Sequence, residues 1–283
     1  MSDDQSKETL REWRENARYW KKHAATIRTM FTPVTQSLIE EAEIIEGDTV
    51  LDVAGGAGEP SLTIADTVGP TGSVTYTDVA PEMVAAAKEE AERRKLKNVV
   101  FEQCRADHLP FDNNSFDAAV CRFGAMFFPD PDAAMREMLR VMKPEGVVAL
   151  AVWGKAELNP YSHVITDVVA RHFEPEPADS NVLGAFRFGE LGSLTRILSE
   201  AGAFEVKERV FKFDIASPIS PRKFWELRSE ISGTLREKLA TIDSTHREAI
   251  AQEVQNAVRE FFPNNQMKFP ANVIIVSGIS GID

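Results

Sequence analysis

Short apolar runs alternate with amphipathic segments along the first half of the chain. The apolar runs predict strands at residues 49–53, 73–77, 99–103, 118–121 and 147–153. Helical periodicity predicts helices between them, at residues 61–68, 81–95 and 131–142. Because strands and helices alternate, we expect a parallel sheet with helical crossovers.

The first segment has a helical apolar stripe, with large side chains three and four positions apart. The stripe consists of Leu10, Trp13, Ala17, Trp20, Ala24 and Ile27. It either packs on the main domain or forms a lid whose aromatic side chains cover a ligand. A second helix is predicted to start at Pro33, since proline is favoured at an early helical position, and to run to about residue 42.

After residue 153 the alternation becomes looser. Helices are predicted at 161–172 and 190–201, a strand at 205–213, a helical pair within 221–262 and a last strand at 272–277. The last two strands are expected to pair at the sheet edge. The helical segments that interrupt the sheet are typical of a cover over a substrate site.

These patterns predict three parts. Residues 1–45 form an N-terminal helical lid, and residues 46–154 form the core that binds a cofactor. Residues 155–283 complete the sheet and insert helical covers at about 155–185 and 218–265.

Composition excludes several classes of protein. With 43% hydrophobic and 27% charged residues, the chain is an ordinary globular one. A net charge of −12 repels polyphosphate, so we expect no nucleic-acid partner. No apolar run approaches the roughly 20 residues of a membrane span, and the acidic, polar start is unlike a secretory signal, so a cytoplasmic location is expected. Cys104 and Cys121 are expected to be reduced thiols, and no metal site is predicted.

In the segment LDVAGGAGEP, the first predicted strand ends in a glycine-rich turn that opens a helix. Glycines allow a ligand to approach the backbone, and the helix start offers unpaired N–H groups. Ser61 stands where the third glycine of an NAD fingerprint belongs, and the lysine of a phosphate-binding loop is missing. The turn therefore predicts a site for a nucleotide-like cofactor without naming it.

Asp78 ends the second predicted strand, 22 residues after Gly56. A carboxylate there can accept hydrogen bonds from both ribose hydroxyls of an adenosine. Alternatively, or in addition, it caps the helix that starts at Pro81.

Three segments together carry a resemblance to a known family. They read LDVAGGAGEP, TYTDVAPEMV and ADHLPFDNNSFDAAVCRFGAMFFPDPDAAMREMLRVMKPEGVVALAVWG. In this order and spacing the chain resembles the class I S-adenosylmethionine-dependent methyltransferases, and within them the small-molecule group that contains the ubiquinone/menaquinone C-methyltransferases. The resemblance implies an α/β fold: a doubly wound, Rossmann-like seven-stranded sheet, mostly parallel, with a terminal antiparallel hairpin.

The resemblance also implies the cofactor, S-adenosyl-L-methionine, and the residues that hold it. Asp52, Ala54, Gly55 and Gly56 would face the methionine end. Asp78, with Val79 and Met83, would take the ribose, Ala106 and Asp107 the adenine, and Arg122 and Phe123 the methionine moiety and the methyl group.

Two positions depart from the family pattern. Ala54 replaces the first glycine of the turn. Arg105 stands where relatives place the adenine-binding aspartate, with Asp107 two residues later. Either Asp107 meets the adenine amino group, or the backbone of Ala106 and Asp107 does so; in both cases Arg105, which has only donors, is expected to point elsewhere.

Methyl transfer requires alignment of acceptor, methyl group and sulfur, and exclusion of water. Candidate side chains for the acceptor site are Trp13, Tyr19, Trp20, Phe31, Met126, Phe127, Phe186 and Trp225. This inventory favours methyl transfer to a small apolar or aromatic molecule. The alternative is a protein of the same fold that binds the cofactor without transferring its methyl group.

Overall fold

A computed structural model of the chain describes residues 3–174 and 183–281. Seven strands form one sheet in the order β3-β2-β1-β4-β5-β7-β6. The pairs among β1 to β5 are parallel, and β7 is antiparallel to both β5 and β6. The predicted doubly wound fold with its terminal antiparallel hairpin is confirmed.

β1 and β3 have the predicted bounds, and the other strands extend the predicted runs. The strands are β1 Thr49–Val53, β2 Ser73–Asp78, β3 Val99–Gln103, β4 Phe116–Arg122, β5 Met142–Trp153, β6 Phe204–Ser217 and β7 Met267–Ile279. The central strands are almost wholly buried because helices cover both faces of the sheet.

Helices lie on both faces of the sheet and beyond its ends. They are α1 Asp3–Glu41, α2 Ser61–Val68, α3 Pro81–Arg94, α4 Pro131–Val141, α5 Pro160–Ala170, α6 Ser193–Glu200, α7 Pro221–Ile231, α8 Gly233–Ala240 and α9 Ser244–Ala257. Short 3₁₀ turns occur at Ala125–Phe127, Ala156–Leu158, Arg259–Phe261 and Pro263–Asn265.

The prediction of a separate helix starting at Pro33 is wrong. One helix, α1, continues through Pro33. Proline removes one backbone hydrogen bond in a helix interior and usually breaks the helix. Here Met30, Val34 and Leu38 are fully buried in the main core on either side of it, and this burial outweighs the lost bond.

The prediction of a helical pair within 221–262 is also wrong, because residues 221–257 contain three α-helices. Two capping side chains divide them. The Ser232 hydroxyl accepts a hydrogen bond from Leu235 N at 3.3 Å, and the Asp243 carboxylate accepts one from His246 N at 2.9 Å. Each cap starts a new helix inside the periodic pattern.

In the described part of the chain, no helix is long and apolar enough to cross a membrane. Nor do those residues contain a group of three or more metal-ligating side chains able to hold a metal ion. Cys104 and Cys121 are free thiols, and burial raises the pKa of each to about 12.

Candidate functional site

A cleft opens at the carboxyl ends of β1, β2 and β4. The strand order reverses between β1 and β4, and ligands of doubly wound sheets bind at such a switch point. The cleft is lined by the turn after β1, by Asp78, by residues 104–107 and by the segment after β4, with α1 across its mouth.

Asp52 supports the glycine-rich turn through hydrogen bonds with Ser61. Its carboxylate Oδ2 accepts hydrogen bonds from Ser61 N at 3.0 Å and Ser61 Oγ at 2.5 Å. Burial raises the pKa of Asp52 to about 7, although the bonds from Ser61 and the charge of Arg122 act in the opposite direction. Asp52 itself does not line the cleft, so it acts on the turn rather than on a ligand.

Gly55 packs so closely that a larger residue would not fit. A Cβ atom there would lie 2.6 Å from ring carbons of Tyr76 and 2.7 Å from Asp52 Oδ2. The Tyr76 hydroxyl donates to the carbonyl of Gly56 at 2.5 Å. The ring and the hydroxyl of one tyrosine therefore fix two successive residues of the turn.

Ala54 has a φ of +61°, a backbone conformation that favours glycine. This explains why a glycine is usual at this position in the family that the sequence resembles. Its methyl group is accommodated by Gly124, where a Cβ atom would lie only 2.7 Å from the Cβ of Ala54. Ala54, which departs from the family pattern, therefore fits because residue 124 is a glycine.

Asp78 is buried at the end of β2. Oδ2 accepts from Gly56 N at 3.0 Å, and Oδ1 accepts from Ala80 N at 2.9 Å. Burial raises its pKa to about 6, while the backbone donors lower it. The carboxylate thus ties the glycine-rich turn to the start of α3 and still lines the cleft, where its remaining lone pairs can accept from a ligand.

Arg105 and Asp107 form a forked ion pair at the far end of the cleft. Arg105 Nε and Nη2 donate to Asp107 Oδ1 and Oδ2 at 2.8 and 2.6 Å. The guanidinium lowers the pKa of Asp107. The expectation that Arg105 points elsewhere is wrong. Arg105 lines the cleft together with Asp107, because the tight turn brings the two side chains together.

Arg122 joins two walls of the cleft. Nη1 donates to Thr35 Oγ1 of α1 at 2.7 Å, and Nη2 donates to the carbonyl of Glu59 at 3.1 Å. Its guanidinium lies 5.9 Å from the centre of the Phe31 ring. One side chain after β4 therefore fixes α1 and the end of the glycine-rich turn in the same place.

Phe123 has a φ of +61°, which is a rare backbone conformation for a bulky residue. Its ring stacks on Trp153 with centroids 4.7 Å apart and contacts Phe31 edge-on at 5.2 Å. Residues in sparsely populated regions persist only when their surroundings hold them, and they cluster at functional sites. These aromatic contacts hold the Phe123 ring at the wall of the cleft.

The structure brings most of the predicted site residues together. Those that line the cleft are Ala54, Gly55, Gly56, Asp78, Val79, Met83, Ala106, Asp107, Arg122, Phe123, Trp13, Trp20, Phe31 and Phe127. Asp52, Tyr19, Met126, Phe186 and Trp225 are not among the lining residues. Met126 is buried in the core, and Tyr19 packs under the guanidinium of Arg236 at 4.5 Å.

Sequence reasoning missed several lining residues, among them Glu59, Cys104, Ile27, Phe128 and Asp130. Glu59 belongs to the quoted glycine-rich motif, and Ile27 belongs to the apolar stripe of α1, so both had a signal. Cys104, Phe128 and Asp130 lie in the segments after β3 and β4. No local sequence pattern indicates that these segments meet at the cleft.

Comparison with known proteins finds similarity to the same family that the sequence resembles. A family model described as "Methyltransferase domain" matches residues 44–175. The chain is 36% identical over 118 residues to the ubiquinone/menaquinone biosynthesis C-methyltransferase of Cellvibrio japonicus, covering 41% of this chain and 47% of that protein. It is 29% identical over 189 residues to a demethylmenaquinone methyltransferase of Staphylococcus aureus, covering 64% and 78%.

Among solved structures, the YcgJ protein of Bacillus subtilis has the same fold. The TM-score is 0.56 with 21% identity, covering 89% of this chain and all of that one. The match to the first of the curated relatives spans about half of that protein's length. The methyltransferase-domain match over residues 44–175, these relatives and the seven-stranded sheet all agree with the class I S-adenosylmethionine-dependent methyltransferases that the sequence resembles.

Proposed function

We propose that the protein transfers a methyl group from S-adenosyl-L-methionine to a small, apolar or aromatic molecule. One observation carries the proposal: the glycine-rich turn, Asp78 and the 104–107 loop, each predicted separately, line a single cleft. The similarity to methyltransferases described above supports the same activity.

The residues of the cleft fit an adenosyl cofactor. Asp78 is held as an acceptor by two backbone N–H groups and has lone pairs left for ribose hydroxyls. Gly56 has no heavy atom within 4 Å of the position of a Cβ, so the cleft is open beside the turn. The cofactor, when bound, supplies a methyl group on a positively charged sulfur.

The remaining work of the protein is positioning and the exclusion of water. Arg122 fixes α1 against the turn through Thr35 and Glu59. Phe31 and Phe123 form an apolar wall beside Arg122, held by the ring of Trp153. Such a wall favours an acceptor with a flat, apolar body and keeps bulk water from the reacting atoms.

The carboxylates that line the described cleft are already bound within the protein. Glu59 accepts from Arg94 and Thr63, at 2.7 and 2.6 Å, and Asp130 accepts from Ala133 N at 2.9 Å. The lone pairs that Asp78 and Asp107 retain are taken in this proposal by the ribose and the adenine of the cofactor, and the described lining contains no histidine. We therefore propose an acceptor atom that is nucleophilic without a general base from the lining, such as a thiolate, an ionised phenol or a neutral amine.

Titration calorimetry with S-adenosylmethionine and S-adenosylhomocysteine, followed by turnover assays, tests the proposal. We expect binding of both and formation of S-adenosylhomocysteine with an aromatic thiol or phenol as acceptor. Failure to bind either molecule would contradict the cofactor assignment. Binding without product across such acceptors would favour the alternative, a protein that binds the cofactor without transferring its methyl group.

Other features of the protein remain predictions from the sequence. They are the cytoplasmic location, the absence of a nucleic-acid partner and the division into residues 1–45, 46–154 and 155–283. We propose residues 1–45 as a cover of the cleft, since α1 lies across its mouth.

A further inference from the structure

The first half of α1 lies on the part of the cleft that follows Asp78. Leu10, Trp13 and Trp20 pack against a small apolar cluster formed by Ala17, Ala80 and Met83. Ala80 and Met83 follow Asp78 closely in the chain, at the start of α3. This half of the helix is therefore beside the ribose-binding carboxylate.

Trp13 also reaches the opposite wall. Its ring contacts Phe127 edge-on, with centroids 5.1 Å apart, and it meets Trp20 in the same manner at 5.9 Å. Phe127 belongs to the 3₁₀ turn after β4, and it lines the cleft together with Ala106. Trp13 thus bridges the α3 side and the β4 side of the cleft.

The second half of α1 faces a different region. Phe31 contacts Phe123 and Trp153, beyond the glycine-rich turn and close to Arg122. The helix therefore crosses the whole cleft, with its tryptophans at the Asp78 end and Phe31 at the end beside β4 and β5.

We propose that Trp13 and Phe127 form the outer wall of the adenosine subsite, so that the first half of α1 binds the cofactor rather than the methyl acceptor. The inference rests on the proposed function and assigns Trp13 and Phe127 away from the acceptor site. Aromatic rings beside a purine base strengthen its binding by stacking and by exclusion of water.

Polar contacts fasten the first half of α1, and the turns that follow it, to the surface of α3. Arg14 pairs with Glu82 at 2.9 Å, Lys21 with Glu89 at 2.5 Å and Arg28 with Glu90 at 4.0 Å. The basic residues are seven positions apart, which places them on one face of the helix. Exposed ion pairs are weak and are screened by salt, whereas Met30, Val34 and Leu38 anchor the second half in the core.

Because exposed ion pairs hold the first half of α1 and buried core residues hold the second, the first half is the part of the helix that can open for the cofactor. Trp20 offers a further group that can contact the cofactor, its indole Nε1. This donor is buried in the described structure without a hydrogen-bond partner. Trp20 lines the cleft, and an unsatisfied buried donor costs free energy unless a ligand accepts from it. A cofactor in the adenosine subsite that accepts from Trp20 Nε1 would remove that cost.

Trp13→Ala tests the subsite with two probes, S-adenosylhomocysteine and 5′-deoxy-5′-methylthioadenosine. The second probe contains the adenosine half and lacks the amino acid. We expect the Kd of both to rise by a similar factor, about tenfold, because stacking on a base is lost in each case. Kd values for both probes within twofold of the parent protein would overturn the proposal.

Charge-exchange variants test the ion pairs between α1 and α3 without removing the aromatic ring of Trp13. Arg14→Glu and Glu82→Arg should each raise the Kd of S-adenosylhomocysteine about threefold, and the double variant should recover most of the loss. Arg196→Glu, which breaks the exposed pair with Glu200 on α6, is the matched control and should leave the Kd unchanged. Single variants that bind like the parent would contradict the role of the ion pairs.

The two proposals fail in different ways. If the parent protein binds neither probe nor S-adenosylmethionine, the proposed function is wrong. If the parent binds all three and Trp13→Ala and the charge variants bind them equally well, the proposed function stands and the adenosine subsite is wrong.

Discussion

Arg105 and Asp107 meet in a two-point contact, in which Arg105 Nε donates to Asp107 Oδ1 at 2.8 Å and Nη2 donates to Oδ2 at 2.6 Å. A guanidinium has no acceptor for the amino group of an adenine, whereas the carboxylate retains lone pairs. We therefore propose that Asp107 is the acceptor and that Arg105 orients its carboxylate.

Asp107→Ala should weaken S-adenosylhomocysteine binding by about 1–2 kcal/mol, because a hydrogen bond to a charged acceptor is lost. Asp107→Asn keeps one acceptor oxygen and should lose less. Arg105→Ala should have a smaller effect through Asp107, and the double alanine variant should bind like Asp107→Ala alone. Calorimetry checks all four; additive losses would show that Arg105 binds the ligand directly.

Asp78→Ala should reduce affinity for S-adenosylmethionine by about 1.5–3 kcal/mol, since charge-assisted hydrogen bonds to the ribose are removed. Asp214→Ala, in the exposed pair with Lys268, is the matched control. Affinity within twofold of the parent in a folded Asp78→Ala variant would remove this carboxylate from the cofactor site.

The pH dependence of binding provides a separate test of Asp78. Its pKa in the protein is raised to about 6 by burial, and only the ionised form accepts from both ribose hydroxyls. Affinity for S-adenosylhomocysteine should therefore fall about threefold from about pH 6.5 to about pH 5.5. In Asp78→Asn this part of the pH dependence should disappear; an unchanged profile would assign it to another group.

Much of the fold could be predicted because its signals are local. β1, β2 and β3 are short apolar runs, and the glycine-rich turn and Asp78 stand at the ends of two of them. In a parallel sheet these ends meet at one edge, so chain order alone places the turn beside Asp78. The hydrogen bond from Gly56 N to Asp78 confirms that placement.

The errors concern contacts between distant elements. Continuation of α1 through Pro33 depends on burial of its neighbours against the sheet, which competes with a strong local helix breaker. Residue type alone predicts Met126 and Trp225 in the acceptor site, yet Met126 is buried in the core and neither residue lines the cleft. The pairing of Arg105 with Asp107 depends on a tight turn that the sequence pattern does not mark.

Gly55 and Gly56 should respond differently to alanine. Gly55→Ala places a Cβ 2.6 Å from the Tyr76 ring, so we expect a clear fall in Tm together with loss of cofactor binding. Gly56→Ala meets no protein atom within 4 Å, although its φ of +55° costs about 1 kcal/mol. Its main effect should be on cofactor affinity. Thermal unfolding and calorimetry distinguish them; equal falls in Tm would contradict this reasoning.

Asp52 should make folding stability depend on pH. Its pKa is raised to about 7 in the folded protein against about 4 in the unfolded chain. The folded state thus retains a proton that the unfolded state has lost, and stability falls as the pH rises towards the folded pKa. Relative to the parent, Asp52→Asn should gain about 2–3 kcal/mol in the free energy of unfolding between about pH 5 and about pH 8. Urea unfolding measures this gain, and a constant difference would contradict it.

The place of β7 in the sheet has a consequence for synthesis of the protein. β7 separates β5 from β6 and pairs with both, for example through Leu150 with Val276 and Val210 with Ile274. A chain of which only the first 260 residues have left the ribosome therefore leaves β5 with an open edge and β6 without the strand that joins it to the sheet. β7 begins more than a hundred residues after β5 ends. Unpaired edges attract other chains, and pairings so distant in sequence form slowly. The nascent polypeptide is most exposed to aggregation in this interval, and arrival of residues 267–279 ends it.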